Sequence, residues 1–360
     1  VSAAAPLYAP AGELEARLLF PSVADRLTHD LIADRHGTSR RHLLLEGPHG
    51  AGKTHVVQVV AGRLERVGMR VVRLPPGLNR ISRLDELLEA VLEGLGLVPE
   101  RSSDPEARTD LALARLRELE PPVVVVENLH HLLERQLDRA HQARLRALLL
   151  RAPPIVLLGT ATRPSATWMS ARAPFYDFFQ RRQLPQLSRR LMEHVAGEAL
   201  GPERQLLVGR PRRVLLWARQ EGDLVTRISR LLDALTPGFQ AAVRALPPQT
   251  ARVLAELACP PVLVTPAQAA RACGLPTNQV TAQVRKLQDR GLVRPGPRKD
   301  GRSRYVEVVD PALRAWMGWR ERWPDLPRRL AQAWGGDPYG AFLLSPDGPP
   351  LAAPYRAPLG

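Results

Sequence analysis

The residues that could do chemistry fall in two short stretches. GPHGAGKT, Gly47 to Thr54, fits G-x-x-x-x-G-K-[ST] at every constrained position. In that pattern the main chain of Gly47, Pro48, His49, Gly50, Ala51 and Gly52 wraps a phosphate chain. Lys53 reaches the β- and γ-phosphates, and the Thr54 hydroxyl ligates Mg²⁺. The second stretch, PPVVVVENLHHLLE, residues 121 to 134, sets four valines before Glu127 and Asn128. Nucleotide hydrolases with such a loop offer one carboxylate here to the metal and a second to the attacking water. With Glu127 at the metal, Asn128 stands where the base belongs and takes no proton. A register shifted by one instead makes Val126 the metal position and Glu127 the base. In both registers one of two carboxylates is missing, and losing a general base costs about 10²- to 10⁴-fold. Bound ATP and Mg²⁺ with slow hydrolysis are therefore expected.

Other reactive side chains form no recognisable site. His49 and His55 flank the loop, and His130 and His131 follow the valines, without HExxH or comparable spacing. They read as helix-surface or nucleotide-proximal residues. Cys259 and Cys273 have no CxxC partner and read as buried small hydrophobes.

The elements that must position these residues alternate in type. HLLLE (42–46) and VGMRVVRL (67–74) are apolar strand segments separated by a helix. Helical spacing then covers 84–97 and 104–119, followed by a strand at 123–126, a helix over 129–150 and a strand at 155–158. Nearly all-apolar strands alternating with helices imply a parallel sheet covered on both faces. From about 184 to 235 the pattern turns helical, with a boundary at LTPGFQ (235–240), and the last 26 residues are Pro/Gly-rich and read as disordered.

Between these lies a block with its own signature. Thr265 caps a helix with Pro266 at its first position and Gly274 past its end. Thr277 caps a second helix, in which Val280, Val284 and Leu287 form an apolar stripe and Gly291 follows the end. Two strands around a basic loop come next, the outline of a winged helix-turn-helix. From Arg285 to Arg304 eight basic residues oppose Asp289 and Asp300, a local surplus suited to phosphates. The net charge of +15 says less, because only three of the 51 basic residues are lysines. Those three are Lys53, Lys286 and Lys299. Thr281, Gln283, Arg285, Lys286, Arg298, Lys299, Arg302 and Arg304 are the expected DNA contacts, with Gln283 and Asn278 able to read adenine edges. Trp316, Trp319 and Trp323 read as packing residues.

With GPHGAGKT, VVVVENLHHLLE and IVLLGTATRP (155–164) in view, residues 20 to 324 resemble the AAA+ superfamily. The nearer likeness is to bacterial and archaeal ATPases that carry a C-terminal winged helix and are related to origin-recognition type initiators. That resemblance implies an α/β P-loop NTPase core, with a parallel sheet between helices, an α-helical lid and a C-terminal winged helix-turn-helix domain. The corresponding segments are an N-terminal extension (1–19), the ATP-binding core (20–180), the lid (181–240), the winged helix (241–324) and the Pro/Gly-rich tail (325–360). It further implies that Thr160 or Thr162 ends a sensor strand touching the γ-phosphate or the attacking water, that Arg212 or Arg213 senses nucleotide from the lid, and that Arg181 and Arg182 stand where an arginine finger reaches a neighbouring subunit.

The expected function is an ATP-binding switch ATPase, slow or DNA-stimulated, coupling nucleotide state to double-stranded DNA. Mobile-element or phage-defence functions, replication initiation and transcriptional regulation are all compatible with it. The rival is a non-enzymatic, nucleotide-bound scaffold whose winged helix holds a protein partner; a small-molecule kinase would leave the basic module without a task. A homo-oligomer is compatible with either. Lacking a basic leader and any apolar run near 18 residues, the chain is expected to be soluble and cytoplasmic.

Overall fold

The computed structural model describes residues 19–34, 41–74, 81–150, 153–162, 166–258, 264–299, 303–321 and 324–334. The chain divides into two compact units, residues 1–185 and 186–360.

The first unit is the expected α/β core. Its elements run α1 (Pro21–Ala33), β1 (Leu43–Glu46), α2 (Lys53–Arg66), β2 (Val71–Leu74), α3 (Leu84–Gly94), α4 (Pro105–Arg117), β3 (Val123–Val126), α5 (Leu129–His131), α6 (Arg139–Leu150), β4 (Val156–Ala161), α7 (Ala166–Met169) and β5 (Gln180–Gln183). All five strands are parallel, in the order β2-β3-β4-β1-β5. Every residue of β1, β3 and β4 is buried, as central strands with helices on both faces require. Because the strands are parallel, the loops after β1, β3 and β4 leave from one edge of the sheet, where ligands of open α/β folds bind.

Two elements differ from the sequence expectation. The helix expected over 129–150 is interrupted: α5 runs into one π-helical turn, Leu132–Gln136, and Leu137 is extended. Asp138 then caps α6, its carboxylate accepting from the His141 N–H at 2.8 Å. Gln142 donates back to the Leu133 and Leu137 carbonyls, which the break leaves open. The other is β5, QRRQ, which has no apolar signature because it is an edge strand with alternate residues exposed.

The second unit contains α8 (Arg189–Ala196), α9 (Arg204–Leu207), α10 (Pro211–Ala218), α11 (Leu224–Arg244), α12 (Pro248–Ala258), α13 (Pro266–Cys273), α14 (Thr277–Asp289), β6 (Val293–Lys299), β7 (Ser303–Val308), α15 (Pro311–Glu321) and α16 (Leu326–Trp334). The caps of α13 are as expected: Thr265 and Gln268 form a reciprocal capping box, and Gly274 takes φ +62° past the end. Helix α14 begins at Thr277 with Pro276, not Thr277, at the N-cap. The antiparallel β6–β7 wing is joined by a bridge between Val264 and Val306.

No break in secondary structure falls at 235–240. Helix α11 runs unbroken through Pro237, with the Thr236 hydroxyl bonded to the Leu232 carbonyl in that turn. Buried Leu231, Leu232 and Phe239 hold it against its neighbours. Lid-type and winged-helix elements thus share one core: Trp316 of α15 donates its indole N–H to Thr236 at 2.9 Å, and its ring lies 5.6 Å from Phe239. The tail expectation is corrected, since residues 326–334 form α16, with Leu326 and Leu330 buried. Its remainder, 335–360, and the N-terminal segment 1–18 lie outside the described residues, as do Cys259, Trp323 and Arg302. Cys273 is buried. Among the described residues no helix is long and apolar enough to cross a membrane.

Candidate functional site: a phosphate loop facing an acid turn

The loop between β1 and α2 has the backbone its glycines permit. Gly50 and Gly52 take φ of +76° and +96°, left-handed values that a side chain would oppose. The turn closes through Ala51 N–H on the Pro48 carbonyl at 3.2 Å, and Gly47 N–H donates to Ala161 at the end of β4 at 3.1 Å. Lys53 is buried, its ammonium donating to the Gly47 and Pro48 carbonyls at 2.7 and 2.9 Å. Thr54 and His49 are exposed.

Opposite the loop stands the turn after β3. The Thr54 hydroxyl donates to the Glu127 carboxylate at 2.5 Å, so the two oxygens assigned to a metal shell are side by side. This arrangement favours the register with Glu127 on the metal side. Asn128 is left-handed, at φ 54° and ψ 44°, a conformation that asparagine tolerates better than glutamate does. Its N–H donates to the Thr160 hydroxyl at 3.0 Å.

The two sensor candidates on β4 separate in role. Thr160 is buried, with its oxygen engaged by Asn128. Thr162, half-buried at the strand's end, is 3.1 Å from Nε2 of His130. His130 is 1 % exposed, which corrects its reading as a surface histidine. The approach of α5 to β4 depends on Gly159, where a Cβ would stand 2.5 Å from Cδ2 of Leu129.

The structure reassigns several arginines. Arg181 donates through Nε and Nη2 to Glu46, a carboxylate only 1 % exposed, at 3.1 and 2.8 Å. Trp168 and Gln183 donate to the same group. Withdrawing Arg181 toward another subunit would leave a buried charge unpaired. Arg182 pairs with Asp30 at 3.1 Å. Both arginines are thus engaged in ion pairs within the chain, with side chains 33 % and 30 % exposed. The Arg213 expectation is corrected: its guanidinium is buried on Asp310, at 2.8 Å through Nη1, and on the Leu206 carbonyl. Burial pushes Asp310 up, but Arg213 and Arg210 outweigh it and hold the carboxyl below the usual range. Arg212 is exposed on α10.

On α14, Arg285 and Lys286 are exposed and Thr281 is bonded back to the Thr277 carbonyl. Gln283 is corrected from DNA contact to interior residue. It completes the stripe of Val280, Val284 and Leu287 and bonds Thr250 and Gln249 at 2.7 and 3.1 Å. Its position three residues after Val280 was the available signal. Arg304 is exposed on β7; Arg298 and Lys299 lie on β6, where only the backbone is described. No cluster of three or more His, Cys, Asp or Glu able to hold a metal occurs among the described residues.

Comparison with known proteins gives the same division. Residues 35–164 match the AAA domain family and residues 246–303 the MarR family. No curated protein matches the chain. Among solved structures, the ORC2 protein of Aeropyrum pernix in its ADPNP–ADP complexes is 12 % identical, with a TM-score of 0.57 over 87 % of this chain and 94 % of that one. The Aeropyrum pernix ORC1 protein in complex with DNA gives 16 % identity and 0.48 over 83 % and 92 %. The Thermotoga maritima RuvB Holliday junction branch migration motor gives 17 % and 0.39 over 81 % and 92 %. The likeness to ORC2 is one of fold.

Proposed function

We propose that this chain, whose AAA+ P-loop core is followed by a winged-helix module, is a nucleotide switch. In this reading it binds ATP with Mg²⁺ at residues 47–54 and engages double-stranded DNA through α14 and the β6–β7 wing. The observation that carries the reading is the Thr54–Glu127 contact of 2.5 Å beside a left-handed glycine loop at a strand–helix junction. Lys53 would leave its two carbonyls for phosphate oxygens, while Thr54 and Glu127 would hold Mg²⁺. Bound there, the metal would neutralise charge on the phosphates. Hydrolysis is slow because Asn128 accepts no proton.

Coupling follows from the shared core of the second unit. Lid-type helices α8 to α11 and the winged helix are packed as one unit, so a movement of the lid helices would carry α14 with it. Arg285, Lys286 and Arg304 supply exposed positive charge. With Gln283 turned inward, Asn278, exposed at the start of α14, is the remaining residue expected to read an adenine edge, and the exposed basic residues serve phosphates.

The test is ATP binding and hydrolysis with and without duplex DNA, alongside molecular mass in each state. Slow turnover that DNA accelerates is expected; a chain that binds no nucleotide sinks the reading. The second reading, a nucleotide-bound scaffold with a protein partner, draws on Asn128. DNA affinity lacking a steep salt slope would favour it.

A further inference from the structure

We propose that His130 is a positioning residue for ATP hydrolysis, acting through the hydroxyl of Thr162; this rests on the nucleotide reading above. Two bonds tie the turn after β3 to the end of β4: Asn128 N–H to Thr160, and His130 Nε2 to the Thr162 hydroxyl at 3.1 Å. The first consumes Thr160 in the interior. The second ends at a half-buried residue directly after Ala161, whose carbonyl receives the first N–H of the phosphate loop. Thr162 is therefore the hydroxyl just past β4 that stands at the loop's own edge of the sheet.

A threonine hydroxyl rotates freely unless a partner fixes it. His130 supplies that partner from a rigid setting: its ring is buried and packs edge-on against His131 with centroids 4.3 Å apart. The backbone beneath it is fixed by left-handed Asn128 and by Leu129 pressed against Gly159. With Glu127 facing Thr54 and Asn128 unable to accept a proton, the orientation of hydrogen-bonding groups around the attacking water has to come from elsewhere on this edge. The His130–Thr162 pair provides a fixed hydroxyl without adding a carboxylate.

The experiment measures ATP Kd and single-turnover rate for the full chain and for His130→Leu, His130→Gln, Thr162→Val and the Leu/Val double variant. His130→Leu is expected to slow turnover about tenfold to a hundredfold with Kd changed less than about threefold. Thr162→Val should match it, and the double variant should be no slower than either, because one bond is being removed twice. His130→Gln, whose amide donates or accepts as the imidazole does, should restore most of the rate. Should His130→Leu fail to fold, Thr162→Val against wild type decides from the half-buried side of the same bond. Unchanged turnover in His130→Leu or Thr162→Val, additive losses, or equal loss in Leu and Gln variants would overturn the assignment. So would a wild-type chain that binds ATP and never hydrolyses it, which leaves nucleotide binding intact, whereas a chain that binds no ATP fails at the earlier reading.

Discussion

Lys53 is 8 % exposed. Its ammonium is buried against two loop carbonyls, and a charge-assisted hydrogen bond of that kind contributes about 1.5–3 kcal/mol. Transferred to a phosphate, the same group should dominate affinity, so Lys53→Ala is expected to weaken ATP binding roughly tenfold to a hundredfold in a fluorescence titration. Asn128 presents an opposed pair of effects. Asn128→Glu restores a base and should raise turnover by about 10² or more. It also forces a longer side chain into the left-handed region at a cost of about 1 kcal/mol, read as a lower denaturation midpoint. Faster turnover with lower stability would identify Asn128 as the base position. Lower stability alone would return the register with Glu127 as the base. At this scale the phosphate loop was legible in the sequence because its eight residues act locally. Which of Thr160 and Thr162 is tied to Asn128, and that His130 meets Thr162, were not, because each contact depends on how β3 and β4 lie in register.

Between elements, the sheet is pinned by a histidine five residues before the phosphate loop, just ahead of the strand that leads into it. The Nδ1 atom of His42, just before β1, accepts from the Leu157 N–H of β4 at 3.0 Å, which requires Nδ1 to be bare and leaves Nε2 to donate to the Leu149 carbonyl at 3.2 Å. Burial lowers its pKa from 6.5 to about 4. The unfolded chain therefore takes up this proton at a higher pH than the folded one. Stability is full above about pH 6.5 and falls as pH drops toward 4, by about 3 kcal/mol from this group. His42→Asn, which keeps an acceptor and cannot charge, should flatten that limb in denaturant midpoints recorded against pH; an unchanged limb would remove His42 as its cause. In the second unit, Asp310 answers both Arg213 and Arg210 and also accepts from Ala312 N–H at 3.0 Å. Asp310→Ala strands two guanidinium groups and is expected to cost about 3–5 kcal/mol, seen as earlier unfolding of residues 186–334 in limited proteolysis. The apolar strands β1, β3 and β4 could be read from composition alone. Strand β5 could not, since its QRRQ residues satisfy Glu46 and Asp30 instead of filling a core. Nor could the passage of α11 through Pro237, which packing by Leu231, Leu232 and Phe239 permits against local preference.

For the whole molecule the question is how a net charge of +15 becomes a binding surface. Many arginines are spent internally, on Glu46, Asp30, Asp85, Glu198 and Asp310, and charge counts from sequence cannot tell these from free ones. Arg285, Lys286 and Arg304 are exposed on the helix and wing that a winged-helix module turns toward a duplex. Each phosphate contact contributes about 0.9 to the slope of log affinity against log salt. Changing all three to glutamine should lower that slope by about 2 to 3 and weaken binding nearly equally on unrelated duplexes, because charge on phosphates carries no sequence information and Gln283 is committed to Thr250 and Gln249. Gel-shift titrations at several salt concentrations read both quantities. A slope unmoved by the triple change would take α14 and the wing out of the interface, and loss confined to one duplex sequence would mean that base readout, not charge, holds the DNA.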